Sequence, residues 1–270
     1  MTDKIIREIT EKLEQGVKEV FSSDRYMEFL RFMSRFTNYS VNNMILIMMQ
    51  RPEASLVAGY KAWQTRFNRQ VRKGEKGITI LAPCPHRKDI EDEDGNTKEV
   101  SWTTFRAIKV FDISQTDGED IPTGCVEMLT GDVDSYDALI EKLITASPVP
   151  VGFEDIAGGA NGFYSQAEKR IAVQAGMSQQ QTVKTLIHEL SHAVLHDRET
   201  GQEKETDRET REVQAESVAY TVCSMLGIDT ADYSFGYIAG YSTGKEIKEL
   251  TASMETIRKT SLMIYEALDL

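Results

Sequence analysis

The sequence has few cysteines, and none is placed for a disulfide framework. Its three cysteines, Cys84, Cys125 and Cys223, are odd in number, far apart and without a C-x-x-C pair. This pattern excludes a small disulfide scaffold and a zinc site built from thiolates, and it fits a reducing compartment. We therefore expect a cytoplasmic protein.

Long apolar runs are also absent. The longest, Met44 to Met49, is far too short to span a bilayer. The beginning of the chain, Met1 to Lys4, leads into a charged segment without the apolar core of a signal peptide. No internal repeat or low-complexity tract is present. The 270 residues therefore predict a globular protein with no membrane partner, made of one large or two small domains.

Charge is distributed unevenly along the chain. The net charge is −12, yet residues 1–88 carry 16 basic and 9 acidic residues, while the remainder carries 15 basic and 34 acidic residues. The whole basic excess lies between Arg51 and Lys88. A basic patch on an acidic protein indicates an anionic partner for that part alone, although a solvated charged face is the simpler alternative.

The first part of the chain predicts helices packed on a small antiparallel sheet. Amphipathic patterns, a capping serine and the position of Pro52 predict its helices. A basic turn, residues 69–77, contains two glycines. A polar excursion with a Gly95-Asn96 turn separates two predicted strands. We expect helices at residues 3–21, 22–36, 40–51 and 58–64, and strands at residues 78–81 and 103–113.

A polar segment from Asp112 to Thr123 is the predicted boundary between two domains. The second part, residues 119–270, is expected to be mainly α-helical. Residues 163–164 and 170–173 predict a β-hairpin immediately before a helix. The fold class is therefore α+β, with a helical first domain that carries a small sheet and a mainly α second domain that carries a short hairpin.

The segment from Thr185 to His196 carries the strongest chemical signal. It contains H-E-x-x-H, formed by His188, Glu189 and His192, within a pattern of helical periodicity. The two histidines of the motif lie one turn apart and can bind one zinc ion, with Glu189 beside the metal as a base. Three of the chain's four histidines lie in this segment, which favours a metal site over ordinary exposed or hydrogen-bonded histidines.

A second predicted helix, at residues 211–220, supplies the third ligand. Glu212 and Glu216 lie four residues apart on one face of it. We expect Glu212 to bind the metal and Glu216 to orient a ligand histidine, although the reverse order stays open. His196 competes as a ligand, but histidines at i, i+4 and i+8 are spread along the axis by about 6 Å a step. We interpret His196 as a helix-end histidine favoured by the macrodipole.

This ligand set predicts a hydrolytic reaction. Zinc lowers the pKa of its bound water, Glu189 accepts the proton, and the hydroxide attacks a carbonyl that the metal polarises. The strand at residues 170–173 is expected to bind an extended peptide along its edge, which makes a peptide bond the natural substrate. Tyr164 and Tyr220 are candidates to stabilise the oxyanion.

Together these motifs resemble a known family. The chain is similar to ArdC-type antirestriction proteins and to LtrC-like proteins of mobile elements. This resemblance implies a single-stranded-DNA-binding domain at residues 1–118 and a zincin-like metallopeptidase domain, related to the ImmA/IrrE peptidases, at residues 119–270. The segments that carry it are residues 42–43, 60–63, 71–77, 110–116, 162–164, 185–192 and 212–216.

The family implies DNA binding by the first domain, and the local charge agrees. Arg72, Lys73 and Lys76 of the basic turn suit phosphates. Lys61 and Trp63 are the other expected DNA contacts. Tyr60 and Trp63 are expected to stack on bases, with core packing as the alternative for Trp63.

Two functional hypotheses follow from the sequence. The first is a Zn²⁺-dependent metallopeptidase that hydrolyses a peptide bond in a host defence or regulatory protein while its first domain binds single-stranded DNA. The second is a non-proteolytic antirestriction protein that binds single-stranded DNA and has a structural or vestigial metal site. Glu189 favours the first, because a structural site needs no general base. The acidity of the second domain also admits mimicry of DNA.

Overall fold

The chain divides into two compact units. The computed structural model describes residues 2–91, 97–121, 133–199, 201, 206–228, 235 and 238–270. The first unit comprises Met1–Gly16 and Asn42–Ile121, and the second comprises Val17–Val41 and Pro122–Leu270. Among the described helices, none combines the length and the apolar character needed to cross a membrane.

The described helices and strands confirm the α+β class. Helices make up about half of the described residues and strands about a fifth. The helices are α1 (Thr2–Val20), α2 (Ser23–Met33), α3 (Val41–Gln50), α4 (Tyr60–Arg66), α5 (Val133–Ala146), α6 (Gln179–Leu195), α7 (Arg208–Met225), α8 (Ile238–Ser242) and α9 (Ile247–Ala267). The strands are β1 (Val57–Gly59), β2 (Arg69–Val71), β3 (Ile78–Glu91), β4 (Thr97–Asp112), β5 (Thr116–Gly118), β6 (Val151–Glu154), β7 (Gly162–Ser165) and β8 (Arg170–Gln174).

A long antiparallel hairpin dominates the sheet of the first unit. Its strands β3 and β4 stay paired from Ile78 opposite Val110 to Glu91 opposite Thr97, so they are much longer than the sequence predicted. The predicted polar excursion is therefore strand at both of its ends, and the Gly95-Asn96 turn lies outside the described residues. Strand β1 joins only the end of β4, which gives the order β1-β4-β3.

The segment predicted as the domain boundary is structured over most of its length. Asp112 caps a short 3₁₀ helix (Ile113–Gln115) in a capping box with Gln115. Strand β5 then pairs with β2 as a separate two-stranded sheet. The described residues that follow Asp112 thus belong to the first unit as far as Ile121.

The outer edge of β3 is closed by side chains and by proline. The amide group of Asn43 accepts from the N–H of Leu81 and donates to its carbonyl, at 2.9 Å in each case. Gln50, two turns further along α3, makes the same pair of bonds with Thr79, also at 2.9 Å. Pro83 and Pro85 occupy the next two positions whose backbone faces this outer edge, and proline has no backbone N–H to donate.

The sheet of the second unit contains one strand more than the predicted hairpin. Strands β7 and β8 form that hairpin, as predicted, with Gly162 opposite Val173. Strand β6 pairs in parallel with the other side of β8, so the order is β6-β8-β7. Strand β8, which was expected to offer a free edge, is therefore the central strand, and its two edges are both occupied.

The second unit also includes helix α2, far away in sequence. The hydroxyl groups of Tyr26 in α2 and Ser217 in α7 are 2.8 Å apart in the interior. Tyr26, Phe29 and Leu30 are fully buried. The compact units thus divide the chain differently from the predicted boundary at residue 118, because residues 17–41 pack with the second unit. The division into functional domains at that residue stays a prediction.

Candidate metal centre

Helix α6 carries the two histidines of the motif. The hydroxyl of Ser178 caps its first turn by accepting from the N–H of Gln181. Its apolar stripe is buried, including Leu186, Ile187 and Leu190. The opposite side of the helix presents the two ligand histidines, which are only partly buried.

Helix α7 carries the two glutamates. Asp207 caps it by accepting from the N–H and the hydroxyl of Thr210. Glu212 lies near both histidines of the motif, whereas Glu216, one turn later, lies near the earlier one. The two helices therefore run antiparallel, which brings two carboxylates against two imidazoles.

Three side chains converge as a metal would require. Nε2 of His188 and Nε2 of His192 are 3.1 Å apart, and each is 3.7 Å from Oε2 of Glu212. Tetrahedral ligands at ~2.0–2.1 Å from a zinc ion lie about 3.3 Å from one another. These separations and the mixed nitrogen and oxygen donors fit a divalent metal.

A carboxylate holds the first histidine from behind. Oε2 of Glu216 is 3.1 Å from Nδ1 of His188, and Oε1 of Glu216 is 3.2 Å from Nζ of Lys184. Burial lowers the pKa of His188, but the nearby carboxylates of Glu212 and Glu216 outweigh it and raise the pKa to about 9. Glu216 thus fixes the ring so that Nε2 faces the other ligand atoms.

The second histidine is held by a chain of neutral groups. Nδ1 of His192 is 3.0 Å from Nδ1 of His196, whose Nε2 is 2.9 Å from Oε1 of Gln214. The amide nitrogen of Gln214 donates in turn to the hydroxyl of Ser253. His196 therefore donates through Nε2 and accepts through Nδ1, so His192 must donate through Nδ1 and keep Nε2 free for a metal.

His196 lies at the C-terminal end of α6, as the sequence predicted, but its ring is not charged. It is 2% exposed, and burial lowers its pKa to about 4, so the ring is neutral near pH 7. The macrodipole interpretation is wrong, because that interaction needs a protonated ring.

The candidate base is buried beside strand β7. Glu189 is 8% exposed, and burial raises the pKa of its carboxyl group although the backbone N–H of Tyr164 donates to it. Glycine at position 162 permits this closeness. A Cβ at Gly162 would lie 2.6 Å from Cγ2 of Thr185 and 3.2 Å from Cγ of Glu189.

The metal ligands line an open cleft of about 470 Å³. Some of the residues that line it were not predicted from the sequence. Arg208 and Arg211 of α7 also line it, and neither forms an ion pair within the described part of the chain. The sequence could have indicated them, because Arg208 lies four residues and Arg211 one residue before the predicted ligand Glu212. Tyr164 lines the cleft too, with its hydroxyl donated to Asp197. Tyr220 is instead buried against Phe235 and is not an oxyanion candidate.

Two residues predicted to contact DNA have partners within the first unit. Trp63 is 0% exposed, and its indole N–H donates to the carbonyl of Phe111 at 2.9 Å, so it cannot stack on a base. Arg72 pairs with Glu75 and Asp117 and donates to the carbonyl of Ser114. Its guanidinium group therefore links the basic turn to residues 114–117, which follow strand β4.

The other three predicted DNA contacts are exposed, as Arg72 is. Lys61 lies on α4, and Lys73 and Lys76 lie in the basic turn. Sequence reasoning overlooked two exposed aromatic side chains, Trp102 and Phe105, on the β3–β4 hairpin. The excess of aromatic residues in a polar strand could have indicated them.

Two family profiles match the chain, one on each side of its middle. The profile described as the N-terminal domain of anti-restriction factor ArdC matches residues 1–111. The profile of the peptidase M78 family, described as an IrrE N-terminal-like domain, matches residues 145–225. These matches confirm the resemblance inferred from the motifs.

A curated protein matches almost the whole chain. An uncharacterized protein of Bacillus anthracis is 26% identical over 303 aligned positions, which cover 97% of this chain and 51% of that protein. The chain thus spans about half the length of this curated relative.

Solved structures of the antirestriction protein ArdC from plasmid R388 also match. The metal-free crystal structure has a TM-score of 0.56 at 19% identity, over 86% of this chain and 85% of that one. The Mn(II)-bound structure has a TM-score of 0.48 at 20% identity, over 86% and 83%. The likeness to the metal-free structure is one of fold.

Proposed function

Because the chain joins an ArdC N-terminal domain to an IrrE N-terminal-like domain of the peptidase M78 family, we propose that it is a zinc metallopeptidase of a mobile element. It hydrolyses a peptide bond in a host defence or regulatory protein of the cytoplasm, and its first domain binds single-stranded DNA. One observation carries the proposal: His188, His192 and Glu212 present ligand atoms within 4.8 Å of one another, in the cleft that Glu189 also lines.

The ligand chemistry favours zinc. Two imidazoles and one carboxylate are a common catalytic zinc set. When bound, zinc supplies Lewis-acid activation of a carbonyl and of water near neutral pH. Glu216 and His196 hold the two imidazoles in the orientation that exposes Nε2. Glu212 completes the set from the neighbouring helix.

The protein's own groups then have distinct tasks. Glu189 accepts the proton of the attacking water, and its raised pKa makes it a better base than an exposed glutamate. Strand β7 lines the cleft, and no described strand pairs with its outer edge. An extended peptide can pair there, whereas β8 has no free edge. Arg208 and Arg211 are available to stabilise negative charge on the substrate.

Metal content tests the site first. Purified wild-type protein is expected to contain one equivalent of zinc by elemental analysis, and His188→Ala and Glu212→Ala are expected to lose it. Glu216→Ala should keep zinc with affinity weakened about 10–100-fold, because it orients a ligand without binding the metal. The matched control is His86→Ala, which removes the one histidine outside residues 185–196. A wild-type protein that takes up no zinc refutes the proposal.

Restriction protection in host cells tests the activity. Glu189→Gln should retain zinc and DNA binding but lose protection, because the amide cannot accept a proton. The exposed Glu266→Gln on α9 is the matched control and should protect like the wild type.

The second candidate function is a non-proteolytic antirestriction protein that acts through DNA alone. The exposed Lys73 and Lys76 favour it, since they require no metal. Under this hypothesis Lys73→Ala/Lys76→Ala abolishes protection and Glu189→Gln protects fully. Arg72 is not a suitable test position, because its loss would also release the basic turn.

A further inference from the structure

The distal part of the β3–β4 hairpin extends beyond the rest of its sheet. Strand β1 pairs only with Val110–Asp112 of β4, so the two-stranded part beyond it has no third described strand. This part carries two exposed aromatic side chains, Trp102 at 46% exposure and Phe105 at 53% exposure.

A second ring holds Trp102 in place. His86 lies directly opposite it in the ladder, and the two rings stack with centroids 5.4 Å apart and planes 16° apart. Nε2 of His86 is also 2.7 Å from the hydroxyl of Thr104 on the same face. One face of the indole is therefore covered by imidazole, and the ring is presented to solvent in a fixed orientation.

Cations flank this aromatic pair on the same face. Side chains alternate along a strand, so Lys88, opposite Val100, and Arg106, opposite Ala82, share the face of Trp102. Both cations are exposed, and neither forms an ion pair with a residue that the structure describes. We name His86, Lys88, Trp102 and Arg106 the hairpin face.

We propose that the hairpin face binds single-stranded nucleic acid, with a base stacked on Trp102 and phosphates beside Arg106 and Lys88. The inference rests on the proposed DNA binding of the first domain and assigns it to a surface. Aromatic rings interleaved with cations are the combination that binds single strands without sequence preference. A duplex keeps its bases stacked inside and cannot offer one to the indole.

The edge of the hairpin argues against a second copy of this chain as the occupant. Strand addition needs outward N–H and C=O groups. Those of Thr79 and Leu81 are bonded to Gln50 and Asn43. Pro83 and Pro85 then remove the next two donors.

Fluorescence anisotropy of the full chain with a labelled 20-residue oligo-dT tests the inference. Trp102→Ala should weaken binding about tenfold, and Trp102→Phe should recover most of it, because a ring of either kind stacks on a base. Arg106→Ala should lower the slope of log affinity against log salt by about one, as expected for one lost phosphate contact. Phe153→Ala, which removes an exposed ring from the second unit, is the matched control and should have no effect.

Tryptophan emission gives an independent readout. The chain has two tryptophans, and Trp63 is buried. Oligo-dT should quench the emission of the wild type and of Trp63→Phe, but not that of Trp102→Phe, in which only the buried indole remains. Loss of the hydrogen bond to Phe111 makes the fold of Trp63→Phe a necessary check by circular dichroism.

The outcomes distinguish the assignment to the hairpin face from DNA binding by the first domain. Unchanged binding by Trp102→Ala, together with lost binding by Lys73→Ala/Lys76→Ala, overturns the hairpin assignment and leaves DNA binding by the first domain intact. No binding of oligo-dT by the wild type overturns both. Equal affinity for duplex and single strand would also contradict stacking on Trp102.

Discussion

The two histidines of the candidate metal centre are held by chemically different partners. Nδ1 of His188 faces the carboxylate of Glu216, whereas Nδ1 of His192 faces the neutral ring of His196. A carboxylate partner raises the basicity of an imidazole more than a neutral ring does. The two ligand histidines therefore differ in what holds them, although they are the same residue type one helical turn apart.

Replacing His196 by phenylalanine should reveal how much the neutral chain contributes. The substitution keeps an aromatic ring of similar shape but leaves Nδ1 of His192 and Oε1 of Gln214 without a partner. Zinc affinity, measured by competition with a chromophoric chelator, is expected to fall about 10–100-fold. His86→Ala should bind zinc like the wild type, and equal affinity in His196→Phe would show that His192 needs no such partner.

Asp112 makes the stability of the first unit depend on pH. Burial opposes ionisation of this carboxyl group, but hydrogen bonds from Ser114 and from the backbone N–H groups of Ser55 and Leu56 outweigh it and lower its pKa. A group whose pKa is lowered in the folded state stabilises the fold above its unfolded pKa of ~3.9. That contribution is lost as the pH falls through the folded-state value.

Asp112→Asn should therefore cost stability mainly at neutral pH. We expect the free energy of unfolding to fall by about 1–3 kcal/mol at pH 7, because the amide cannot accept all of these bonds. Urea denaturation at pH 7 and at pH 2 measures the difference, which should shrink at the lower pH. An equal loss at both pH values would contradict a role for the charge.

Helix α3 closes the outer edge of strand β3 through the side chains of Asn43 and Gln50. Asn43→Ala removes both hydrogen bonds to the backbone of Leu81 and should lower the free energy of unfolding by about 1–3 kcal/mol. Its neighbour Asn42→Ala is the matched control, because Oδ1 of Asn42 makes no hydrogen bond among the described residues. Denaturation and sedimentation measure the effects, and similar losses in the two variants would refute the edge-closing role.

Elements with a local signal could be predicted from sequence, and elements fixed by distant partners could not. Helix α6 and its histidines follow from spacing within one segment, as do α1 and α3. The pairing of β8 with β6 joins residues about twenty positions apart, so the sequence did not predict that β8 is the central strand of its sheet. The local sequence around Trp63 is compatible with a buried or an exposed ring. The ring is buried because its indole N–H donates to the carbonyl of Phe111, which is distant in sequence. Arg72 likewise depends on partners about forty residues away.

At the scale of the whole chain, the second unit is assembled from two separate stretches. A fragment of residues 119–270 lacks α2, and α7 then loses contact with Tyr26 and its apolar neighbours. Burial of one such side chain contributes ~1.5–3 kcal/mol, against a total stability of about 5–15 kcal/mol for a domain. The fragment should therefore melt well below the full chain or fail to fold. A fragment of residues 17–270 is the control, and thermal melts with limited proteolysis compare the two.

The contact between Tyr26 and Ser217 also sets an order of events during synthesis. The two residues are 191 positions apart, and ribosomes add roughly 5–20 residues each second. Helix α2 therefore leaves the ribosome some 10–40 s before α7 can cover it. For that interval its apolar face has no permanent neighbour, and the nascent chain offers chaperones a binding site that the finished protein no longer has.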